Sequence, residues 1–173
     1  MQIRRAVIQD AEAIAAIHVR AWQEAYRGII PDEYLRSLRS ERREVMWREA
    51  LQSADSDTWV AEDAERVLGW INTGPSRDAG ADCRAGELRA LYVDPGAWRR
   101  GIGRALWREA EAALRAAKFE HVTLWVLEAN RSARRFYEAI GFGADLGYER
   151  TIERGGASLR EIRLRLDLRG PSA

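Results

Sequence analysis

Residues 87–107, ELRALYVDPGAWRRGIGRALW, put a strand, a stop, a glycine-bearing turn and the start of a helix into one short run. The stretch GELRALYV alternates as a strand does. Glu87, Arg89, Leu91 and Val93 are predicted on one face, and Leu88, Ala90 and Tyr92 on the other. Asp94 and Pro95 end it. From Ile102 to Ala117 the apolar residues Leu106, Ala110, Ala113, Leu114 and Ala117 form one stripe, while Arg104, Arg108, Glu111 and Arg115 form another, which predicts an amphipathic helix. The turn between strand and helix is WRRGIGR. The first turn of a helix has unpaired backbone N–H groups and the positive end of the helix dipole, so it attracts an exposed anion by roughly 0.3–1 kcal/mol. Gly101 and Gly103 carry no side chains to hold a phosphate away from those amides, and Arg99, Arg100 and Arg104 can add charge-assisted hydrogen bonds. The run suits a phosphate or diphosphate. The alternative reading is a tight strand-to-helix turn with solvated arginines. Two nucleotide motifs are excluded: Leu106 stands where a dinucleotide fingerprint needs a third glycine or alanine, and the P-loop lysine with its Ser/Thr partner is missing.

Outward from this run the chain alternates strands and helices. Gln2 to Ala6 is predicted as a first strand. Ala11 to Tyr26 is predicted as a helix with Ile14, Ile17, Ala21, Trp22 and Ala25 on one face and Asp10 as its N-cap. Gly28 and Pro31 break the pattern, and a second helical stretch follows to about Gln52. Thr58 to Glu62 and Val67 to Thr73 read as a hairpin around EDAER, followed by a long loop from Asn72 to Gly86. HVTLWVL, 121–127, is a strand too apolar for an exposed edge. NRSARRFYEAIGF is a further helix that stops at Gly141. Strands near Ala144 to Ile152 and Ser158 to Leu168 complete a mixed α/β chain, and the closing RGPSA predicts disorder.

Composition narrows the function. The 173 residues suit a single domain, 1–173. With 28 basic and 27 acidic side chains the net charge is +1, which gives no bulk attraction to nucleic acid or an anionic membrane. A basic patch of Arg99, Arg100, Arg131, Arg134 and Arg135 could still meet nucleic acid, but the interspersed acids argue against it. Cys83 is the only cysteine, so an internal disulfide and a multi-cysteine metal site are excluded, and no metal is expected. The start lacks the apolar stretch of a signal peptide, and no run approaches a membrane span; a cytoplasmic protein is expected.

The pairing of LYVDPGAWRRGIGRAL with EANRSARRFYEAIGF, one helix and one strand later, resembles the GNAT superfamily of N-acetyltransferases. These bind acetyl-CoA with a strand, a pyrophosphate loop of the form R/Q-x-x-G-x-G/A, and a helix. The resemblance follows element order from about residue 2 to 168 and is most specific from Glu87 to Phe142. AWQEAYRGIIP also resembles the first helix of a bacterial GNAT subgroup. The resemblance implies a mixed, mostly antiparallel sheet of about seven strands flanked by about four helices, acetyl-CoA as co-substrate, and direct transfer to a small-molecule or peptide amine. A homodimer is common in the family. Trp98 departs from the Arg or Gln usual at the first loop position.

Carried over by position, the main chain of Leu91, Tyr92 and Val93 pairs with the pantetheine arm, with the Val93 N–H facing the thioester oxygen. Arg99, Arg100, Gly101, Ile102, Gly103 and Arg104 hold the pyrophosphate. Asn130 touches the arm from the other side, and Ala133 and Phe136 line its path. Tyr137 is the implied general acid for the leaving thiolate. Each role has a plainer counterpart in the residues themselves. Tyr137 shares a helical face with Ala133, Phe136 and Ile140 and can be a buried aromatic, although a phenol near pKa 10 can donate to a thiolate. Asn130 can be the N-cap of its helix. Glu87 is the candidate base, its alternative being a surface glutamate beside Arg89. The acid that many family members carry five residues before the asparagine is Trp125 here. His18 and His121 read as structural. Cys83, without a histidine partner, is a poor nucleophile. Trp22, Tyr26 and Trp70 are candidates for the acceptor pocket, and with Glu24, Asp32 and Glu33 they permit a small cationic amine without requiring one. A catalytically silent acyl-CoA binder is the alternative function.

Overall fold

The computed structural model describes residues 1–169. Seven strands form one sheet in the order β1-β2-β3-β4-β5-β7-β6: β1 (Gln2–Arg5), β2 (Asp57–Asp63), β3 (Arg66–Pro75), β4 (Ala85–Val93), β5 (His121–Leu127), β6 (Gly143–Arg154) and β7 (Ala157–Asp167). All neighbours are antiparallel except β4 and β5. Five helices cover it: α1 (Ala11–Ala25), α2 (Asp32–Ser37), α3 (Ser40–Ala50), α4 (Ile102–Ala116) and α5 (Arg131–Ala139). The α/β class and the mostly antiparallel seven-stranded sheet are as expected from the sequence. Among the described residues no helix is long and apolar enough to cross a membrane.

The helix count is one more than expected. The stretch after Pro31 is broken at Leu38 and Arg39, whose ψ values of 136° and 132° are extended. The break lets two short helices bury different faces. Leu35 of α2 joins Ile30 and Leu127, whereas Trp47 of α3 and Leu51 just after it pack around Trp70. A second correction concerns Asp10, which makes no side-chain cap for α1. Its carboxylate is taken by the Arg4 guanidinium at 2.7 and 2.9 Å and by the Val7 N–H at 2.8 Å, so it ties β1 to the helix entry instead. From 170 onward, the RGPSA stretch lies outside the described residues.

Two cores sandwich the sheet. On one face Ile102, Leu106, Trp107, Ala110 and Leu114 of α4 bury against Ile71, Leu88, Val122 and Leu124. On the other, Ile14 and Ile17 of α1 bury against Val60, Val67 and Trp70. Leu106, Ala110 and Leu114 of the stripe read for α4 therefore face the sheet, while Ala117 is exposed past the helix end, and HVTLWVL is an interior strand between β4 and β7.

The parallel pair is the feature that positions a site. β4 and β5 are in register only over Ala85–His121, Gly86–Val122 and Glu87–Thr123. Beyond Glu87 the two strands part, and β4 continues to Val93 paired with β3 alone. An interior strand thus exposes one edge of its backbone, with N–H and C=O groups that must find partners elsewhere.

Candidate active site

The opening between β4 and β5 is bounded on one side by the start of α4. Gly101 caps that helix with φ +79° and no side chain bonded to the first turn. A β-carbon built there would meet nothing within 4 Å. The amides of Gly101, Ile102, Gly103 and Arg104 are therefore bare at the positive end of the helix dipole. Arg99 also stands at positive φ, +62°, a conformation that costs a non-glycine residue about 1–2 kcal/mol. Arg99, Arg100 and Arg104 are exposed beside this concavity, and Arg100 lies 3.9 Å from Asp63. Ile102 is a core side chain, 2 % exposed, so only its N–H can serve a ligand.

Gly103 has a different reason to be glycine. A β-carbon there would come within 3.1 Å of Phe136 and 3.6 Å of Leu91. Its bare Cα lets α5 pack against the start of α4 and brings Ala133 and Phe136 alongside β4. The predicted companions of the arm are thus gathered on one side of the opening.

Along β4, the Asp94 N–H goes to the Leu68 carbonyl on β3 at 2.8 Å. By the alternation of an antiparallel ladder, Leu91 and Val93 turn their N–H and C=O groups to the open edge, while those of Tyr92 face β3. The Val93 carbonyl is met by the indole N–H of Trp98 at 2.8 Å. That bond explains how tryptophan functions at the departing loop position: it fastens the loop to the end of the strand. Asp94 fastens it again. Its Oδ1 accepts from the Gly96 N–H at 3.0 Å and its Oδ2 from Arg20 of α1 at 2.6 Å. The sequence reading treated Asp94 as a strand stop only; the Asp-Pro-Gly order was the signal for a side-chain-capped turn.

Asn130 caps α5, its Oδ1 accepting from the Ala133 N–H at 3.1 Å. That leaves the amide Nδ2 as the group able to reach an arm. Tyr137 is buried, with its ring edge-on to Phe136 and Phe142 at 5.4 and 6.0 Å. Burial, with a smaller contribution from the Tyr92 phenol, holds its pKa above the ordinary value, so it stays protonated at any working pH. Among the described residues its hydroxyl has no hydrogen-bond partner, which leaves the proton free for another acceptor.

Glu87 is placed differently from the sequence expectation. The β3–β4 register jumps from Asn72–Ala90 to Thr73–Leu88, leaving Arg89 unpaired in a β-bulge. The extra residue reverses the alternation. Leu88 consequently shares the α4 face with Leu91 and Val93, and Glu87 turns to the α1 face of Ala90 and Tyr92. It is 6 % exposed, and its carboxylate accepts from Arg77 at Nη2 (2.6 Å), Nε (2.9 Å) and the backbone N–H (3.1 Å). Nothing in the sequence pointed to Arg77, a loop residue ten positions away.

On the α1 face stand Trp22 and Tyr26, half-buried and edge-on at 5.0 Å. The Tyr26 and Tyr92 hydroxyls lie 3.4 Å apart, and burial raises both phenols. Trp70 is a correction. It is fully buried beneath His18, Trp47 and Tyr92, with its indole N–H on the Ile14 carbonyl at 3.1 Å, so it is core and cannot touch a substrate. His18 is structural, stacked on Tyr92 at 5.0 Å. Cys83 is exposed in the loop after β3.

The fold is shared with solved acetyltransferases. The fold matches PaiA N-acetyltransferase from Thermoplasma acidophilum, solved with coenzyme A, at TM-score 0.75 and 21 % identity over 96 % of this chain and 98 % of that one. It matches YncA from Salmonella typhimurium, solved with its cofactor acetyl-CoA, at TM-score 0.75 and 22 % identity over 100 % and 96 %. In sequence the chain is 33 % identical to the N-acetyltransferase YuaI of Bacillus subtilis over 165 residues, 94 % of this chain and 90 % of that protein. The family model for acetyltransferases of the GNAT type matches residues 12–142, from α1 through the end of α5, so the loop, the parted strands and the tyrosine helix all fall inside it: the chain belongs to the acetyltransferase (GNAT) family.

Proposed function

We propose that this enzyme moves the acetyl group of acetyl-CoA to a primary amine by direct transfer in a ternary complex. The observation that carries the reading is the parting of β4 from β5 after Glu87, which leaves an unpaired strand edge running between the bare amides of α4 and Tyr137. The fit of the group to these residues rests on the open Gly101 cradle and the three exposed arginines beside it. Relatives solved with coenzyme A and acetyl-CoA support it.

In this reading the amides of residues 101–104 and Arg99, Arg100 and Arg104 hold the diphosphate. Leu91 and Val93 hold the arm as an added strand would, with the Val93 N–H polarising the thioester oxygen. Asn130 Nδ2, Ala133 and Phe136 close the far side. The amine nitrogen forms a bond to the acetyl carbon as the carbon–sulfur bond breaks. Tyr137 gives its hydrogen bond, then its proton, to the departing thiolate. A thiol titrates near 8.5, well below this raised phenol, so Tyr137 cannot remain a phenolate and must recover a proton as it gives one up. The amine supplies that proton. The other proton, the one that makes the acceptor an ammonium before attack, goes to Glu87 on the acceptor face through water, because both of its oxygens are held by Arg77. AWQEAYRGIIP supplies one wall of the acceptor side.

The test is release of free thiol from acetyl-CoA across a panel of amines, run beside calorimetry of coenzyme binding. Binding with amine-dependent thiol release is expected. Tight binding without release from any amine would leave a silent acyl-CoA binder, and no binding would remove the cofactor as well.

A further inference from the structure

The acceptor side of the opening is crowded with charge, and nearly all of it is already neutralised. Glu87 is paired with Arg77 at 2.6 Å, Glu161 with Arg150 at 2.7 Å, and Asp78 and Asp145 with Arg163 at 2.8 Å each. Glu24, on α1, is paired with Arg27 at 2.7 Å. Asp32 and Glu33 are exposed in the first turn of α2, where they complement its dipole. Apart from these two exposed carboxylates at the start of α2, a cationic acceptor would have to displace an arginine to find one. The aromatic faces offer it no more. Trp125 carries the Arg150 guanidinium 4.2 Å from its ring centre, and Trp22 carries that of Arg43 at 5.3 Å.

What remains unsatisfied has the opposite sign. Arg43, half-buried on α3, meets no carboxylate among the described residues. The Trp22 indole N–H is buried without an acceptor. Beside them the Tyr26 and Tyr92 hydroxyls share one hydrogen bond at 3.4 Å, which leaves one phenol proton of the pair to donate. An orphaned N–H donor under a free guanidinium is a deficit of acceptors, and burying a donor unmet costs about 1–3 kcal/mol until something arrives to satisfy it.

We propose that the acceptor is a small amine carrying a carboxylate next to its amino group, a free α-amino acid being the simplest case, and that Arg43 and the Trp22 indole N–H receive that carboxylate. The assignment rests on the acetyl-transfer reading above and names its substrate class. It narrows the choice left by the aromatic and acidic residues of this region, which in the sequence permit a small cationic amine without requiring one.

The experiment compares three acceptor sets in the thiol-release assay: free α-amino acids, the same amino acids as their C-terminal amides, and spermidine. The amides have the less basic amino group and so the larger neutral, nucleophilic fraction at neutral pH; without carboxylate recognition they are the better acceptors. Free acids are expected to exceed their amides at least 30-fold in kcat/KM, with spermidine lowest. Arg43→Gln should lower kcat/KM for the free acids about 30-fold, as loss of a charge-assisted hydrogen bond predicts. It should leave the amides within about threefold and the calorimetric affinity for coenzyme unchanged, and Arg43→Lys should recover part of the loss. A thermal melt of each variant matching the parent shows the fold intact. Amides or spermidine accepting acetyl as well as the free acids would overturn this inference and leave the transfer reading standing. A preference for free acids that survives Arg43→Gln would overturn the assignment of Arg43. Coenzyme binding with no thiol released from any of the three sets would overturn the transfer reading, and this inference with it.

Discussion

On the α4 side of the β4–β5 opening, the groups offered to a ligand belong to the backbone: the amides that begin α4 and the free edge of β4. On the α1 side they are side chains from distant parts of the chain, with Arg77 on Glu87, Arg163 between Asp78 and Asp145, and Arg43 over Trp22. In the proposed function the first side recognises what is constant in a coenzyme, its phosphates and amides, with a few contiguous residues. The second must recognise whatever amine this enzyme uses, and it does so with contacts that no short motif encodes.

Substitutions can break or sharpen that contrast. The largest effect is expected at the junction of the two sides. Tyr137→Phe should cut turnover about 100-fold or more, the scale of a lost general acid, while coenzyme affinity and thermal stability stay near the parent's. Full activity in that variant would remove Tyr137 from the chemistry. In the same assay Glu87→Gln should lower turnover about tenfold to 100-fold with coenzyme affinity unchanged, and an unchanged turnover would end its role as base.

The side-chain half should also be the pH-sensitive half of the fold. Enclosure by aromatic rings, and secondarily the Arg43 charge, press the His18 pKa down to about 3, and its Nδ1 accepts from the Trp47 indole at 3.4 Å. The unfolded chain protonates this imidazole near 6.5 while the folded one does not, so its stabilising contribution is complete above that pH and is lost as pH falls from 6.5 toward 3. At pH 5 the loss from this one group should be about 2 kcal/mol. Denaturant titrations of the parent and His18→Phe between pH 7 and 5 measure it. Equal pH slopes in the two proteins would refute the assignment.

Within the backbone half, the two glycines of the loop should separate. Gly101→Ala places a side chain at φ +79° in the open cradle and should weaken coenzyme binding about tenfold, as a strain of 1–2 kcal/mol in the loop predicts. Gly103→Ala, pressed to 3.1 Å of Phe136, should instead cost about 1 kcal/mol of stability, seen as a lower melting temperature. If both variants lose binding equally and stability not at all, the two glycines have one role rather than two.

The α4 half was readable in the sequence because its information is local. Strand alternation, the Asp-Pro stop, the glycines and the amphipathic stripe of α4 follow from neighbouring residues, and the resemblance placed Asn130 and Tyr137 on the next helix. The N-cap bond of Asn130 and the burial of Tyr137 are the plainer roles that the residues themselves allow. The α1 half was not readable to the same degree. Trp70 reads as a pocket aromatic until the packing of α1 and α3 covers it. The face of Glu87 is reversed by one bulged residue, Arg89, which strict alternation cannot foresee.

The sequence by itself therefore determined the order of elements apart from the break between α2 and α3, the glycine-bearing turn and the family, because periodicity, turn chemistry and the exposed amides of a helix start act over a few residues of chain. Only the tertiary structure decided which carboxylates are free, which aromatics are core and which face Glu87 presents. Those outcomes depend on partners 10 to 85 residues apart in the chain, from Arg77 on Glu87 to Arg163 on Asp78, and side chains so far apart are joined by packing alone.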